Sequence, residues 1–186
     1  MECPKILDQV SELRGRKTSM EIRNVSIGKK IWKYDIVHRP DAAAAIVRIQ
    51  GTNKYVFIKQ FRVPANQEII EGVAGCLDGN ELPSDCIVRE IEEETGYKVA
   101  KKGTGHSKLV SFGPTLSSPG YTDEIVHLFY AEVENVMGSQ RPDDDERIKV
   151  VHYSFDEFSS LVEKGAIKDA HTLLGWYMHI AKGFHK

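Results

Sequence analysis

The chain alternates between two hydrophobic periods. Ala42–Ile49 and residues 54–61 are apolar runs rich in β-branched and aromatic residues, and they read as two strands joined by the turn Gly51-Thr52-Asn53. Shorter strand-like stretches are expected at residues 20–26, 30–36, 68–73, 108–112, 125–133 and 148–155. A 3.6-residue period replaces the alternation at residues 82–95, 156–164 and 169–182, which predicts helices there. Asp169 stands where the last of them needs an N-cap. In that helix Trp176 and Tyr177 read as core or dimer packing. Strands interleaved with few helices suggest an α+β fold or a mixed-sheet sandwich.

The helix at residues 82–95 carries an unusual charge pattern. Glu90 lies three residues before Glu93 and four before Glu94, so the three carboxylates share one face. Like charges at that spacing cost roughly 0.2–0.5 kcal/mol per pair in an isolated helix. An acid run by itself is most often a solvated face. Here its surroundings favour another reading, a site for a hard divalent cation, which prefers carboxylate oxygens. Pro83 suits a first helical turn, and Gly96 suits a left-handed stop. Ile87, Val88 and Ile91 form an apolar arc beside the acids, and Arg89 is spaced to hold Glu93.

Composition narrows the classes. The chain has 186 residues, enough for one domain with a sizeable core, and is 41% apolar and 28% charged. A formal net charge of −2 gives no general attraction to nucleic acid, and no nucleic-acid partner is expected. No apolar run approaches a membrane span and no signal-like segment opens the chain, so neither a membrane partner nor export is expected. Cys3, Cys76 and Cys86 lack metal-ligand spacing and read as small core or surface residues in a reduced cytoplasmic setting.

The stretch from Gly75 to Tyr97 resembles the Nudix box, G-x5-E-x7-R-E-U-x-E-E-x-G-U, where U is bulky and aliphatic. Gly75, Glu81, Arg89, Glu90, Ile91, Glu93, Glu94 and Gly96 fill its positions, and Tyr97 departs at the last. Gln60-Phe61-Arg62, then Glu71-Gly72-Val73-Ala74-Gly75, and downstream Ser118-Pro119-Gly120-Tyr121-Thr122-Asp123-Glu124 are similar to segments of the ADP-ribose pyrophosphatase and nucleotide-sugar hydrolase branch. Val73 replaces that branch's usual proline. The likeness covers roughly residues 30–182.

The resemblance implies an α/β/α sandwich around a mixed sheet, preceded by an N-terminal β region. Residues 1–35 would be that region, a dimerising one, and residues 36–186 the hydrolase domain. It implies Mg²⁺, with Mn²⁺ as a substitute, two to three ions per site, held by Glu90, Glu93, Glu94 and the Ala74 carbonyl. Glu93 and Arg89 would serve catalysis, Arg89 by supporting Glu93. Arg62 would grip the pyrophosphate with its planar fork of donors, where the plainer reading is a surface ion pair. Glu71 is either an anchor of the site or an edge-strand charge. Glu124 is assigned to substrate. Trp32 would stack on an adenine of the partner subunit, its alternative being simple packing. The general base falls in an acid-rich loop, with Glu146 the candidate beside Asp143, Asp144 and Asp145.

The expected reaction is hydrolysis of ADP-ribose to AMP and ribose 5-phosphate by a homodimer. Residues 69–78 and 167–172 also resemble GDP-mannose and UDP-glucose hydrolases, which keeps another nucleoside-diphosphate sugar as the alternative substrate. A reading of a different class is a non-catalytic nucleotide-sugar-binding domain. The clustered carboxylates argue against it, because a pure binder has no need of them.

Overall fold

The computed structural model describes residues 5–101, 108–141 and 147–185. It divides into two compact units, one running to Asp41 and including Thr115–Ile125, the other comprising Ala42–Pro114 and Val126–Lys186.

The first unit is built on a three-stranded antiparallel sheet of β1 (Lys5–Arg14), β2 (Ser19–Ile27) and β3 (Lys30–His38). Strand β1 was not expected from the sequence. Its apolar residues Ile6, Leu7, Val10 and Leu13 follow a helix-like spacing. Register shifts between Ile6 and Asp8 and between Gln9 and Ser11 explain this, since each irregularity interrupts the two-residue alternation that marks a strand. The end of β3 holds residues 121–125 through several ties. Val37 N–H donates to the Tyr121 carbonyl at 2.7 Å, and Ile125 N–H donates to Asp41 Oδ1 at 3.2 Å. His38 lies between Asp123 and Glu21, with a carboxylate on each ring nitrogen. Both carboxylates only accept, so they favour the doubly protonated ring, and its pKa is raised chiefly by the bond to Asp123.

The second unit is an α+β sandwich around an eight-stranded mixed sheet. The path runs β11 (Ile148–Ser154), β5 (Lys54–Arg62), β4 (Ala42–Ile49), β10 (Ile125–Met137) and β8 (Tyr97–Val99). Strands β6 (Gln67–Glu71), β7 (Val73–Cys76) and β9 (Leu109–Leu116) pair with β5, β4 and β10 respectively. The β4–β10 pair is parallel and β4–β5 is antiparallel.

Pleating splits the apolar side chains between two cores. Ala43, Ala45, Val47 and Ile49 of β4, with Val56 and Ile58 of β5, pack against Cys86, Ile87 and Ile91 of α1 (Pro83–Thr95). Ile46, Tyr55 and Phe57 pack on the other face with Phe158 of α2 (Phe155–Glu163) and Trp176 of α3 (Ala170–Ala181). The sheet is therefore covered by helices on both faces, as the family resemblance implied. Trp176 is core, whereas Tyr177 is exposed. Val88, expected in the buried arc of α1, is only half-buried, and Cys86 takes its place.

Local signals account for the helix ends. Asp169 caps α3 by accepting from Thr172 N–H, and Ser154 and Glu157 form a capping box on α2. Helix α1 opens on Pro83 and stops at Gly96, whose φ of 72° is left-handed. Ile87 and Ile91 are fully buried, each contributing roughly 1.5–3 kcal/mol over an exposed position. That outweighs the repulsion among the helix's acids, so the core holds α1 in place despite its charge. No helix among the described residues is long and apolar enough to cross a membrane.

Candidate active site

The single strand expected at residues 68–73 is two strands. Chain β6 ends at Glu71, β7 begins at Val73, and the pairing partner changes from β5 to β4 at Gly72 between them. Only glycine fits there, because a Cβ at Gly72 would lie 2.7 Å from the Ala45 carbonyl oxygen. Three residues on, Gly75 makes room of another kind. A Cβ there would lie 1.9 Å from Glu90 Oε1 and 2.0 Å from its Cδ. Strand β7 and helix α1 are thus packed closely enough for the Glu90 carboxylate to lie directly over the strand backbone.

Arg89 is the hub of the acid cluster. Its Nε and Nη2 donate to the two carboxylate oxygens of Glu81 at 3.0 and 2.8 Å. Its Nη1 donates to Glu90 at 2.7 Å and to Glu93 at 3.0 Å, and Nη2 also reaches the Cys76 carbonyl at 3.3 Å. The expected support of Glu93 is present, but the strongest tie is to Glu81, to which the sequence reading gave no role. The bidentate pair is the geometry in which a guanidinium binds a carboxylate best. It pulls the Glu81 carboxyl down to about 2, while burial pushes the Cys86 thiol up to about 12. The advance sign of the Glu81 pair was that Glu81 and Arg89, eight residues apart, both fill positions of the box.

Glu94 is turned the other way. Only 2% exposed, it accepts the Ala74 N–H at 3.3 Å, which sets a carboxylate on the backbone of β7. Next to it, Arg62 forms a two-armed pair with Glu71, Nε at 3.0 Å and Nη2 at 2.7 Å from Glu71 Oε2. Burial alone would lower the Arg62 pKa. Glu71, with Glu94 and Asp169 behind it, outweighs that and holds the guanidinium charged. The second unit therefore brings together Arg62, Glu71, Ala74, Arg89, Glu90, Glu93 and Glu94. Trp32 and Glu124 belong to the first unit, Trp32 half-exposed on β3 and Glu124 paired with Arg39 at 3.1 Å. Glu146 and the neighbouring Asp143, Asp144 and Asp145 lie outside the described residues.

Among the described residues no three His, Cys, Asp or Glu side chains already converge as a metal-ligand set. The bonds just described give the reason: Arg89 Nη1 binds both Glu90 and Glu93, and Glu94 faces an amide. The donor set still suits a hard divalent cation. Three carboxylates, Glu81, Glu90 and Glu93, share the Arg89 guanidinium, Glu94 adds a fourth on the Ala74 amide, and Gly75 leaves space for the Glu90 carboxylate, so negative charge is in excess. Glu90, Glu93 and Glu94 with the Ala74 carbonyl would hold such an ion.

Comparison with known proteins identifies the family. The NUDIX domain model matches residues 38–174. An ADP-ribose pyrophosphatase of Bacillus subtilis (strain 168) is 37% identical over 160 residues, 85% of this chain and 82% of that protein. A methanol dehydrogenase activator of Bacillus methanolicus is 33% identical over 86% of this chain and 83% of its own length. A GDP-mannose pyrophosphatase of Cronobacter sakazakii is 33% identical over 76% of this chain and 74% of that protein. The family model spans most of the chain and includes the Arg89-centred acid cluster, so the chain belongs to the Nudix family as a pyrophosphohydrolase, in a family that generally uses a divalent metal ion, commonly Mg²⁺.

Proposed function

We propose that this chain hydrolyses ADP-ribose to AMP and ribose 5-phosphate with two to three Mg²⁺ ions, Mn²⁺ being a substitute, held by Glu90, Glu93, Glu94 and the Ala74 carbonyl. One observation carries the chemistry: the buried Glu94 carboxylate on the Ala74 amide stands beside the Arg62–Glu71 pair, so cation ligands adjoin a guanidinium. A pyrophosphate needs both. The Bacillus subtilis relative and residues 118–124 support ADP-ribose as the substrate.

When bound, the ions supply Lewis acidity, drawing charge from the diphosphate oxygens and lowering the pKa of water. The chain's own residues do the rest. Arg62 donates to a phosphate oxygen, exchanging part of its bonding to Glu71 for the substrate. Arg89 keeps Glu90 and Glu93 oriented. Glu146 takes the proton of the attacking water, with Asp143, Asp144 and Asp145 as its rivals for that role. The water oxygen bonds to one phosphorus, the bond from that phosphorus to the bridging oxygen breaks, and the departing phosphate keeps the electron pair. Glu124 contributes to substrate binding.

We further propose a homodimer in which residues 1–35 form the dimerising β region, residues 36–186 form the hydrolase domain, and Trp32 stacks on the partner's adenine. Ile31, Trp32 and Tyr34 all leave apolar surface exposed on β3, which supports a covering partner. Solution mass should be twice the 21.0 kDa of the chain, and Trp32→Ala should raise KM for adenine nucleotides while leaving the mass unchanged. A fully active monomer would refute the shared site. A cytoplasmic setting suits the free thiols Cys76 and Cys86.

The second reading is GDP-mannose hydrolysis, favoured by the Cronobacter sakazakii relative and by residues 167–172. UDP-glucose belongs to the same class of alternative, and a non-catalytic nucleotide-sugar binder is the alternative of another class. Comparing kcat/KM for ADP-ribose, GDP-mannose, UDP-glucose and dGTP separates them, with ADP-ribose expected to rank first. Preference for GDP-mannose would change the substrate and leave the chemistry standing. Preference for dGTP would place the chain outside the nucleotide-sugar branch, and binding without turnover would favour the binder.

A further inference from the structure

The backbone amide of Gly72 is buried where the strand changes partner, and a buried amide must find an acceptor. The acceptor comes from 100 residues further along the chain. Gly72 N–H donates to Thr172 Oγ1 at 2.8 Å. The Thr172 hydroxyl in turn donates to Asp169 Oδ2 at 2.6 Å, and the same oxygen receives Thr172 N–H at 2.7 Å. Committing the hydroxyl hydrogen to Asp169 leaves an oxygen lone pair for Gly72, which gives the relay a direction. The Ala45 carbonyl also approaches Gly72 closely, since a Cβ there would come within 2.7 Å of it. The switch point is therefore tied by its amide to Thr172 and closely packed against Ala45.

We propose that Asp169 and Thr172 are positioning residues for the reaction, setting through Gly72 where Glu71 and Ala74 stand. Glu71 is the residue immediately before the switch and holds Arg62. Ala74 lies two residues after it, with its amide on Glu94 and its carbonyl assigned to the metal. Loss of the relay lets the strand relax around Gly72, so the phosphate-binding arginine and the ligand backbone drift together. Asp169 also acts directly, as its negative charge is felt at Arg62. The inference rests on the hydrolase reading above and assigns to the cap of α3 a role beyond helix stability.

The test uses the full chain. Thr172→Val removes the hydroxyl at nearly constant shape, and Thr172→Ser restores it. Asp169→Ser keeps a capping hydroxyl for α3 but removes the carboxylate that receives the Thr172 hydroxyl, which provides a second variant should the valine protein not fold. Mn²⁺ affinity is read by electron paramagnetic resonance, Gly72 amide exchange by NMR, and kcat and KM by hydrolysis of ADP-ribose and GDP-mannose. Thr172→Val and Asp169→Ser are each expected to weaken Mn²⁺ binding and lower kcat/KM by about tenfold, the size of effect typical of residues that orient metal ligands. Thr172→Ser should return to near wild type, and the Gly72 amide should exchange faster only in the first two. Unchanged Mn²⁺ affinity and kcat/KM in folded variants whose Gly72 amide has lost protection would overturn the inference. A wild-type protein that neither binds Mn²⁺ nor cleaves either sugar nucleotide would overturn the hydrolase reading, and the inference with it.

Discussion

Glu94→Gln is expected to lower kcat by on the order of 10²-fold or more, the loss seen when a group that stabilises transition-state charge is removed. Glu94 is 2% exposed and lies against the Ala74 amide, so its charge acts at short range with little screening by water. Glutamine keeps the shape and removes the charge. The helix should remain folded, because Cys86, Ile87 and Ile91 fasten it to the sheet without help from the acids. Excess chelator should abolish hydrolysis by the wild-type protein. The control is Glu92→Gln on the same helix. Glu92 is more exposed and paired only loosely, with Arg141 at 3.4 Å and Lys98 at 3.7 Å, so its loss should leave kcat nearly unchanged. Steady-state kinetics with Mg²⁺ decide the matter. Undiminished turnover in chelator would remove the metal from the reaction, and a Glu94→Gln protein as active as the control would remove Glu94 from the site.

Gly75→Ala should be nearly as damaging although it adds one methyl group. The new Cβ would lie 1.9 Å from Glu90 Oε1 and 2.6 Å from its Cγ. The backbone cannot yield, since Gly75 is paired with Ala43 in the β4–β7 ladder. The Glu90 side chain must therefore swing away and lose its bond to Arg89 Nη1. Gly75 is not among the glycines with a left-handed φ, so the loss comes from contact and not from backbone strain. A misplacement of about 1 Å at a reacting centre costs on the order of 10²-fold, and we expect kcat/KM to fall by that much. Stability should suffer less, because a carboxylate at the end of a flexible side chain is what moves. Kinetics alongside thermal unfolding check both parts. A Gly75→Ala protein with wild-type kcat/KM would show that the position of Glu90 does not matter.

These two variants separate what is local in this protein from what is not. The charge pattern of α1, its opening at Pro83, its stop at Gly96 and the cap at Asp169 were legible in the sequence. Each is settled within about one helical turn, by spacing and by backbone groups that must find partners nearby. The turn at Gly51 and the two strands beside it were legible for a similar reason, a short range of residues with a clear alternation. Local rules also placed Arg89 within reach of Glu93.

The tertiary structure decided the rest. That Arg89 binds Glu81 most firmly depends on how the loop before α1 returns to the helix, which no helical spacing describes. Breaking the 68–73 segment at Gly72 depends on β6 finding β5 while β7 finds β4, a choice made by neighbouring strands. The reason Gly75 must lack a side chain is the close approach of α1 to β7. Strand β1 was hidden because its register shifts erase the alternation that would have announced it. Thr172 shows the limit most plainly. In sequence it is a residue in the first turn of a helix, and only the packing of α3 against β4 brings its hydroxyl to the amide of Gly72. Local order follows from groups a few bonds apart, whereas these contacts join residues that become neighbours only once the sheet has formed and the helices have covered it.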